Sequence, residues 1–335
     1  MKACVLEKPA LVDEHPLVIS DVPRPTPGEG EILLRVEACG ICRTDLHVVE
    51  GELPARLSPV IPGHQVVGIV EAVGTGVASR ATGERVGAAW LHSTCGECRF
   101  CITGRENLCE RAQFTGWSCH GGFAEFMVAA ADFVYPLPGN LESTQAAPLL
   151  CAGIIGYRAL RLTGVSAWEG ARLGIYGFGA AGHICIQIAR SRGADVYVAT
   201  RDRSRHRVLA EELGAAWVGD TFDQPPVQLD TAIIFAPAGE IIPTALKALD
   251  RGGTLVLGGI HMSPIPQFEY DLIYGERSIK SVANNTRDDG RDFLIEAASI
   301  PVRTSVTTFE LGQANEALIA LKNDAIKGAG VMRID

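Results

Sequence analysis

Basic charge, aromatic rings and long apolar runs are all scarce in this chain. Its 335 residues carry 30 Lys and Arg against 39 Asp and Glu, a net charge of −9. A surface of that sign repels phosphate backbones, so no nucleic-acid partner is expected. No stretch approaches the about 18 consecutive apolar residues of a membrane-crossing helix, so no membrane partner is expected either. Disorder is excluded as well, because 47% hydrophobic against 21% charged residues is the balance of a globular protein. Met1-Lys2-Ala3-Cys4-Val5 reads straight into a strand. It lacks the basic, apolar and small-residue regions of a secretory signal, which predicts a cytoplasmic location. Thiols stay reduced there, so clustered cysteines point to metal rather than to disulfides.

Four cysteines are clustered in this way. Cys95-x2-Cys98-x2-Cys101-x7-Cys109 places four thiolates on one loop, the ligand set of a closed tetrahedral zinc site. Such a site leaves no open position for chemistry and serves as a structural staple.

The chain is long enough for two domains. Up to about residue 145 it reads as short strands broken by turns, for example 17–19, 32–36 and 66–74, with Pro23, Pro25 and Pro27 between the first two. Beyond Thr144 strands and helices alternate. The pattern predicts a long apolar helix over 145–161, interrupted by Pro148 and two glycines. Strands follow at 172–176, 195–199, 231–235 and 253–258, with helices at 180–192, 205–213 and 243–249 between them. Repeated βαβ units imply a parallel sheet with helices on both faces.

Gly177-Phe178-Gly179-Ala180-Ala181-Gly182 fits G-x-G-x-x-G between a predicted strand and helix, the context of a dinucleotide phosphate loop. The end of the next strand separates NAD from NADP, since an acidic residue there binds the ribose 2′-hydroxyl and an arginine takes a 2′-phosphate. Thr200 and Arg201 occupy that place, with Asp202 just beyond, and the reading leans to NADP.

Metal-competent residues recur in three further segments: Cys39 to His47, Gly63-His64-Gln65 and Leu149 to Gly153. Two cysteines and one histidine drawn from them would make a catalytic zinc site with a free fourth position. On the residues alone, Cys39 and Cys42 are both candidates.

With these motifs together, the chain resembles the zinc-dependent medium-chain alcohol dehydrogenases over essentially its whole length. The resemblance implies an α/β protein. A GroES-like β-rich catalytic domain would span 1–146 and 286–335, its structural zinc lobe lying at about 92–110. A Rossmann-type doubly wound parallel-sheet domain would be inserted over 147–285. It implies two zinc ions per chain, the catalytic one held by Cys42, His64 and Cys151 and the structural one by Cys95, Cys98, Cys101 and Cys109. Asp45 matches a carboxylate that orients the histidine ligand, Thr44 and His47 a proton relay, and Arg43 a pyrophosphate contact. Gly177, Gly179 and Gly182 match the phosphate loop, while Trp90 and Trp117 resemble the aromatic lining of a substrate cleft. Gln65 departs from the family, which has glutamate after the zinc histidine.

The implied activity is reversible hydride transfer between a primary alcohol, aromatic or allylic, and NAD(P)+, by a homodimer or homotetramer. A polyol- or threonine-type dehydrogenase of secondary alcohols is the alternative enzyme. A non-enzymatic dinucleotide-binding protein is the alternative from another class, and chelator-sensitive consumption of reduced cofactor by an added aldehyde separates it from either enzyme.

Overall fold

The computed structural model describes residues 1–201, 203–300 and 302–334. They divide into two compact units, one made of Met1–Cys151, Thr286–Ala298 and Thr304–Asp335, the other of Ala152–Asn285 and Ser299–Arg303.

The first unit is built on a mostly antiparallel sheet. In spatial order its strands are Val306–Glu310, Ala329–Arg333, Glu31–Ile41, Gln65–Val73, Arg85–Ala88 and Val134–Pro136, and Phe126–Ala130 also pairs with Glu31–Ile41. The long strand Glu31–Ile41 is Val/Ile/Leu-rich and buried along most of its length, because it is flanked on both sides. Register shifts at Leu33/Leu34 and Val36/Ala38 bend it, as bulges do. The C-terminal strand Ala329–Arg333 pairs with its far end, Gly330 opposite Ile41, so a strand from late in the chain joins the sheet built by the earlier ones. Ile32, Leu34, Val66, Val86, Phe123 and Met332 are among the core residues.

The second unit is a six-stranded parallel sheet. Its spatial order is Trp217–Gly219, Asp195–Ala199, Arg172–Tyr176, Leu229–Ile234, Leu249–Leu257 and Ser278–Ser281. Numbered within the unit, that is 3-2-1-4-5-6, the doubly wound order whose direction reverses between the first and fourth strands. The first and fourth strands carry Ile175 and Ile233, both fully buried, as expected of strands covered on two faces. Helix Ala152–Thr163 packs on helix Ala180–Ser191, where Gly156 meets Cys185.

Two expected helices are divided differently in the structure. The apolar segment expected over 145–161 becomes a short helix Ser143–Ala146, a 3-10 turn Ala147–Leu150 and the helix Ala152–Thr163. Pro148 suits the first turn of a new element but not a helix interior, and Cys151 leaves helical geometry at φ −133°, ψ −72°. The segment expected as one helix over 205–213 opens with a π-turn, Arg203–Arg207, before the α-helix Val208–Glu212.

Candidate active site

Three donors meet in the first unit. Cys42, His64 and Cys151 place Sγ, an imidazole nitrogen and Sγ within 4.8 Å of one another. Each arrives from a different local structure. Cys42 is the N-cap of helix Arg43–Val49, where Thr44 N–H donates to its sulfur at 3.3 Å and its own N–H donates to Asp45 Oδ2 at 2.9 Å. His64 precedes strand Gln65–Val73. Cys151 sits at the helical break just described.

Gly63 sets the entry to His64. Its φ is +96°, and a Cβ there would lie 2.3 Å from the Phe123 ring, so only glycine fits. Its N–H donates to Asp45 Oδ1 at 3.2 Å, and the same oxygen lies 2.9 Å from His64 Nδ1. A carboxylate only accepts, so Nδ1 carries a proton, and Nε2, 3.4 Å from Cys42 Sγ, is the nitrogen left for a metal. A metal there would displace any proton on Nε2 and leave the ring as its Nδ1–H tautomer.

The electrostatics favour anionic sulfur beside that imidazole. A hydrogen bond from Cys151 holds the Cys42 thiol well below its usual range against the cost of burial, helped by His64 and the Thr44 side chain. The same bond and burial push Cys151 up, so the pair shares one proton. Burial alone would depress His64, but the Asp45 carboxylate and the Cys42 sulfur outweigh it and raise the imidazole to about 10. Burial raises Asp45, opposed by His64. Cys39 lies apart from the trio, fully buried in its strand, and burial pushes its thiol well above the usual value. A trio of two thiolates and a neutral imidazole fits a zinc ion that keeps a fourth position open.

Thr44 and His47, three residues apart, share a face of helix Arg43–Val49. Thr44 is buried, and the His47 ring, 14% exposed, is hydrogen-bonded through Nδ1 to Glu52. Arg43 opens the helix and is exposed. Gln65 is buried, and its Nε2 has no partner among the described residues.

Trp90 stands edge-on to His64, with ring centroids 5.1 Å apart and planes at 76°. It stacks on Trp117 at 5.8 Å and on Phe114 at 5.1 Å, forming an aromatic wall that starts at the metal-competent histidine. Arg56 lies over Trp117, its guanidinium 4.3 Å from the ring centroid, and Trp117 Nε1 donates to Pro54 O at 3.0 Å. Phe114, Arg56 and Glu52 were not anticipated from sequence. Phe114 had a signal, since it lies on the same short loop as Trp117.

The four lobe cysteines also converge, with Sγ separations of 3.8 Å (Cys95–Cys101), 3.5 Å (Cys98–Cys101) and 3.5 Å (Cys95–Cys109). Zinc–sulfur bonds of about 2.3 Å in a tetrahedron put sulfurs about 3.8 Å apart, so the cluster fits the ion. Backbone N–H groups of Glu97 and Cys98 lower Cys95 to about 6, favouring the thiolate.

In the second unit the three loop glycines have three different reasons. Gly177 has φ +89°, and a Cβ there would lie 2.8 Å from Ala236 N. At Gly182 a Cβ would lie 2.8 Å from Gly177 O. Around Gly179, the N-cap of helix Ala180–Ser191, a Cβ would meet nothing within 4 Å. That open approach at a helix N-terminus has room for a diphosphate. At the next strand end, Thr200 is buried, with its N–H on Gly219 O at 3.0 Å and its carbonyl accepting from Arg207 Nε at 2.9 Å. Arg201 is exposed, and Asp202 lies outside the described residues.

Known proteins resemble this chain over its whole length. Residues 28–139 match the alcohol dehydrogenase GroES-like domain, and residues 180–299 match the zinc-binding dehydrogenase family. A probable alcohol dehydrogenase of Mycobacterium tuberculosis is 48% identical, the alignment covering 100% of this chain and 97% of the relative. The chain belongs to the zinc-dependent medium-chain alcohol dehydrogenases. An alcohol dehydrogenase of Geobacillus stearothermophilus is 39% identical over 98% of this chain and 99% of its own length. Among solved structures, a cinnamyl alcohol dehydrogenase from Sorghum bicolor superposes with a TM-score of 0.90 at 28% identity, covering 99% of this chain and 97% of the other. As a member of this alcohol dehydrogenase family, the protein is an oxidoreductase with zinc-dependent alcohol dehydrogenase activity on alcohols or aldehydes. No helix among the described residues is long and apolar enough to cross a membrane.

Proposed function

We propose that the chain interconverts a primary, aromatic or allylic alcohol and its aldehyde at Cys42, His64 and Cys151, with a nicotinamide dinucleotide as hydride partner. The observation that carries the reading is a trio of donors, not four, with its histidine locked in the metal-binding tautomer by Asp45. When bound, zinc supplies a Lewis acid that acidifies the alcohol and polarises the aldehyde, and the dinucleotide accepts or returns the hydride.

The protein's own groups then have defined tasks. Asp45 keeps a proton on His64 Nδ1 so that Nε2 remains a donor. Thr44 and His47 carry the proton that leaves the alcohol, and Glu52 holds the His47 Nδ1 proton at the solvent side. The Trp90, Phe114 and Trp117 wall gives a planar substrate a face to pack on, which favours an aromatic or allylic alcohol over a polyol.

A second zinc at Cys95, Cys98, Cys101 and Cys109 is proposed as a structural staple. Gly177, Gly179 and Gly182 are assigned to the diphosphate. Arg201 is assigned to a 2′-phosphate, making NADP the preferred dinucleotide. A reducing compartment, the cytoplasm, suits ten cysteines that all stand as thiols. A second copy of the chain is the proposed partner. Support comes from the edge strand Ser278–Ser281, whose Ile279 is exposed along with nearby Ile260, Ile265, Tyr270 and Tyr274.

Initial rates of NADPH and NADH oxidation with benzaldehyde, with and without a strong chelator, test the reading. A chelator-sensitive rate that is higher with NADPH is expected. A rate indifferent to chelation overturns the zinc assignment, and a preference for NADH overturns that of Arg201.

A further inference from the structure

Arg56 is a cation set on an aromatic surface with no anion to answer it. It lies in the mostly exposed segment between helix Arg43–Val49 and His64. Two hydrogen bonds fasten that segment to the loop that carries Phe114 and Trp117. Trp117 Nε1 donates to Pro54 O at 3.0 Å, and Arg56 Nη1 donates to Ala112 O at 3.4 Å. The guanidinium stands 4.3 Å from the centre of the Trp117 ring and 5.8 Å from that of Phe114. Among the described residues it pairs with no carboxylate, whereas Arg111 and Arg287 of the same unit hold Glu97 and Glu106. Water satisfies an exposed arginine well enough, so its freedom alone carries little weight. Its place carries more.

Three successive contacts lead from the metal-competent histidine to this guanidinium. Trp90 stands 5.1 Å from His64, Trp117 5.8 Å from Trp90, and Arg56 4.3 Å from Trp117. The planes of Trp90 and Trp117 differ by 12°, so a planar molecule with its reacting carbon at His64 has a flat apolar path outward. That path ends at a positive charge. Elsewhere the chain is acidic, with a net charge of −9, and its overall field repels anions. A guanidinium lying over a ring leaves the N–H groups at its edge free, in the fork that fits the two oxygens of a carboxylate.

We propose that Arg56 binds a carboxylate at the end of the substrate remote from the reacting carbon. The preferred substrates are then aromatic or allylic alcohols and aldehydes that are also acids. This rests on the aromatic-alcohol reading proposed above and narrows it. Arg56 takes no part in hydride or proton transfer, so it sets specificity and its contribution falls in KM rather than in kcat.

The test compares reduction of 4-formylbenzoate and of its neutral methyl ester by the holoenzyme, with whichever of NADPH and NADH supports the faster rate. The ester has the same ring and reach without the charge. An exposed bidentate ion pair is worth about fivefold. In Arg56→Gln the kcat/KM ratio of acid to ester is expected to fall about fivefold, through KM, and in Arg56→Lys by less. Titrating 4-formylbenzoate into enzyme that holds the oxidised dinucleotide, where no hydride can move, should show the same loss as a higher Kd. Wild type alone gives an independent reading, since salt should raise KM for the acid relative to the ester by screening an attraction. Without such a cation, a chain of net charge −9 would show the opposite, because salt would screen a repulsion. A ratio unchanged in R56Q, an equal loss for acid and ester, or a relative KM for the acid that falls with salt would each overturn the proposal. Arg56 would then be a brace between its own segment and Trp117. Wild type that reduces benzaldehyde, the acid and the ester at no measurable rate would instead bring down the aromatic-alcohol reading itself.

Discussion

Asp45 Oδ1 lies 2.9 Å from His64 Nδ1, and both side chains are almost completely buried. The contact joins the first turn of a helix to the start of a strand, and the Gly63 and Cys42 N–H groups complete the carboxylate's partners. Losing such a support typically costs a metal site about 10–100-fold in affinity. Asp45→Asn is expected to keep the shape but remove the charge that holds Nδ1 protonated. Competition with a chromogenic chelator should show one zinc leaving about 10–100-fold more readily and the second unaffected. Loss of both ions at one chelator concentration would mean that Asp45 supports the fold of the whole unit instead.

A second buried carboxylate ties the cysteine lobe to the end of the chain. Glu106, between Cys101 and Cys109, accepts from Arg287 at Nε (3.0 Å), Nη2 (2.8 Å) and the backbone N (2.8 Å), across a sequence separation of 181. Arg287 also lies 4.6 Å from the centre of the Phe133 ring. Burial opposes the charge on Glu106, but the Arg287 hydrogen bonds prevail and hold its carboxyl below the usual value. With the guanidinium 43% exposed, solvent screens part of the pair, so Arg287→Ala is expected to cost about 1–2 kcal/mol. Urea denaturation at pH 7 checks this. Because the Glu106 carboxyl is depressed, its stabilisation is intact above the unfolded value and is lost as pH falls through the folded one. The gap between wild type and R287A should therefore close in acid.

How legible a feature was depended on how locally it is built. The Cys95–Cys109 cluster and the Gly177–Gly182 loop each occupy one short segment, so spacing alone marked them as candidates. The choice of Cys42 over Cys39 needed the family resemblance. What separates them physically is burial in a strand for one and an N-cap position for the other, which spacing does not encode. Gly63 read as a plain glycine, and its obligation comes from the Phe123 ring lying across it. The Glu106–Arg287 pair, the placing of Arg56 over Trp117 and the His47–Glu52 contact arise only when distant or turn-linked segments fold together. The break at Cys151 was foreshadowed by Pro148, yet a single long helix was the simpler pattern.

His183 provides a pH dependence within the second unit. Its ring is fully buried beneath the glycine loop, Nδ1 lies 3.1 Å from Gly179 O, and burial pushes the imidazole down to about 4. The unfolded chain takes up that proton near pH 6.5, so the stability held by neutral His183 is complete above about 6.5 and is lost as pH falls towards 4. At pH 5 the loss is about 2 kcal/mol. Urea midpoints at pH 7 and pH 5 for wild type and His183→Asn check it. The variant should be less stable at pH 7 and should lose less than wild type on acidification. Parallel losses would assign the acid sensitivity to other groups.

The contact between His47 and Glu52 makes the last prediction kinetic. If protons leave through Thr44 and His47, the acceptor at the outer end is the imidazole, and Glu52 holds its Nδ1 proton in place. His47→Gln keeps a polar side chain but cannot accept a proton at neutral pH, and general acid–base steps of this kind are worth about a hundredfold or more. The expected result is kcat for benzyl alcohol oxidation lower by about a hundredfold at pH 7, with the dinucleotide Kd unchanged. Small imidazole in the buffer should restore part of the rate, because it replaces the missing acceptor and not a missing structural contact. Glu52→Gln leaves the imidazole in place, so its effect should be smaller and should lie mainly in the pH profile. A His47→Gln enzyme with undiminished kcat would mean that the alcohol proton reaches solvent by another route.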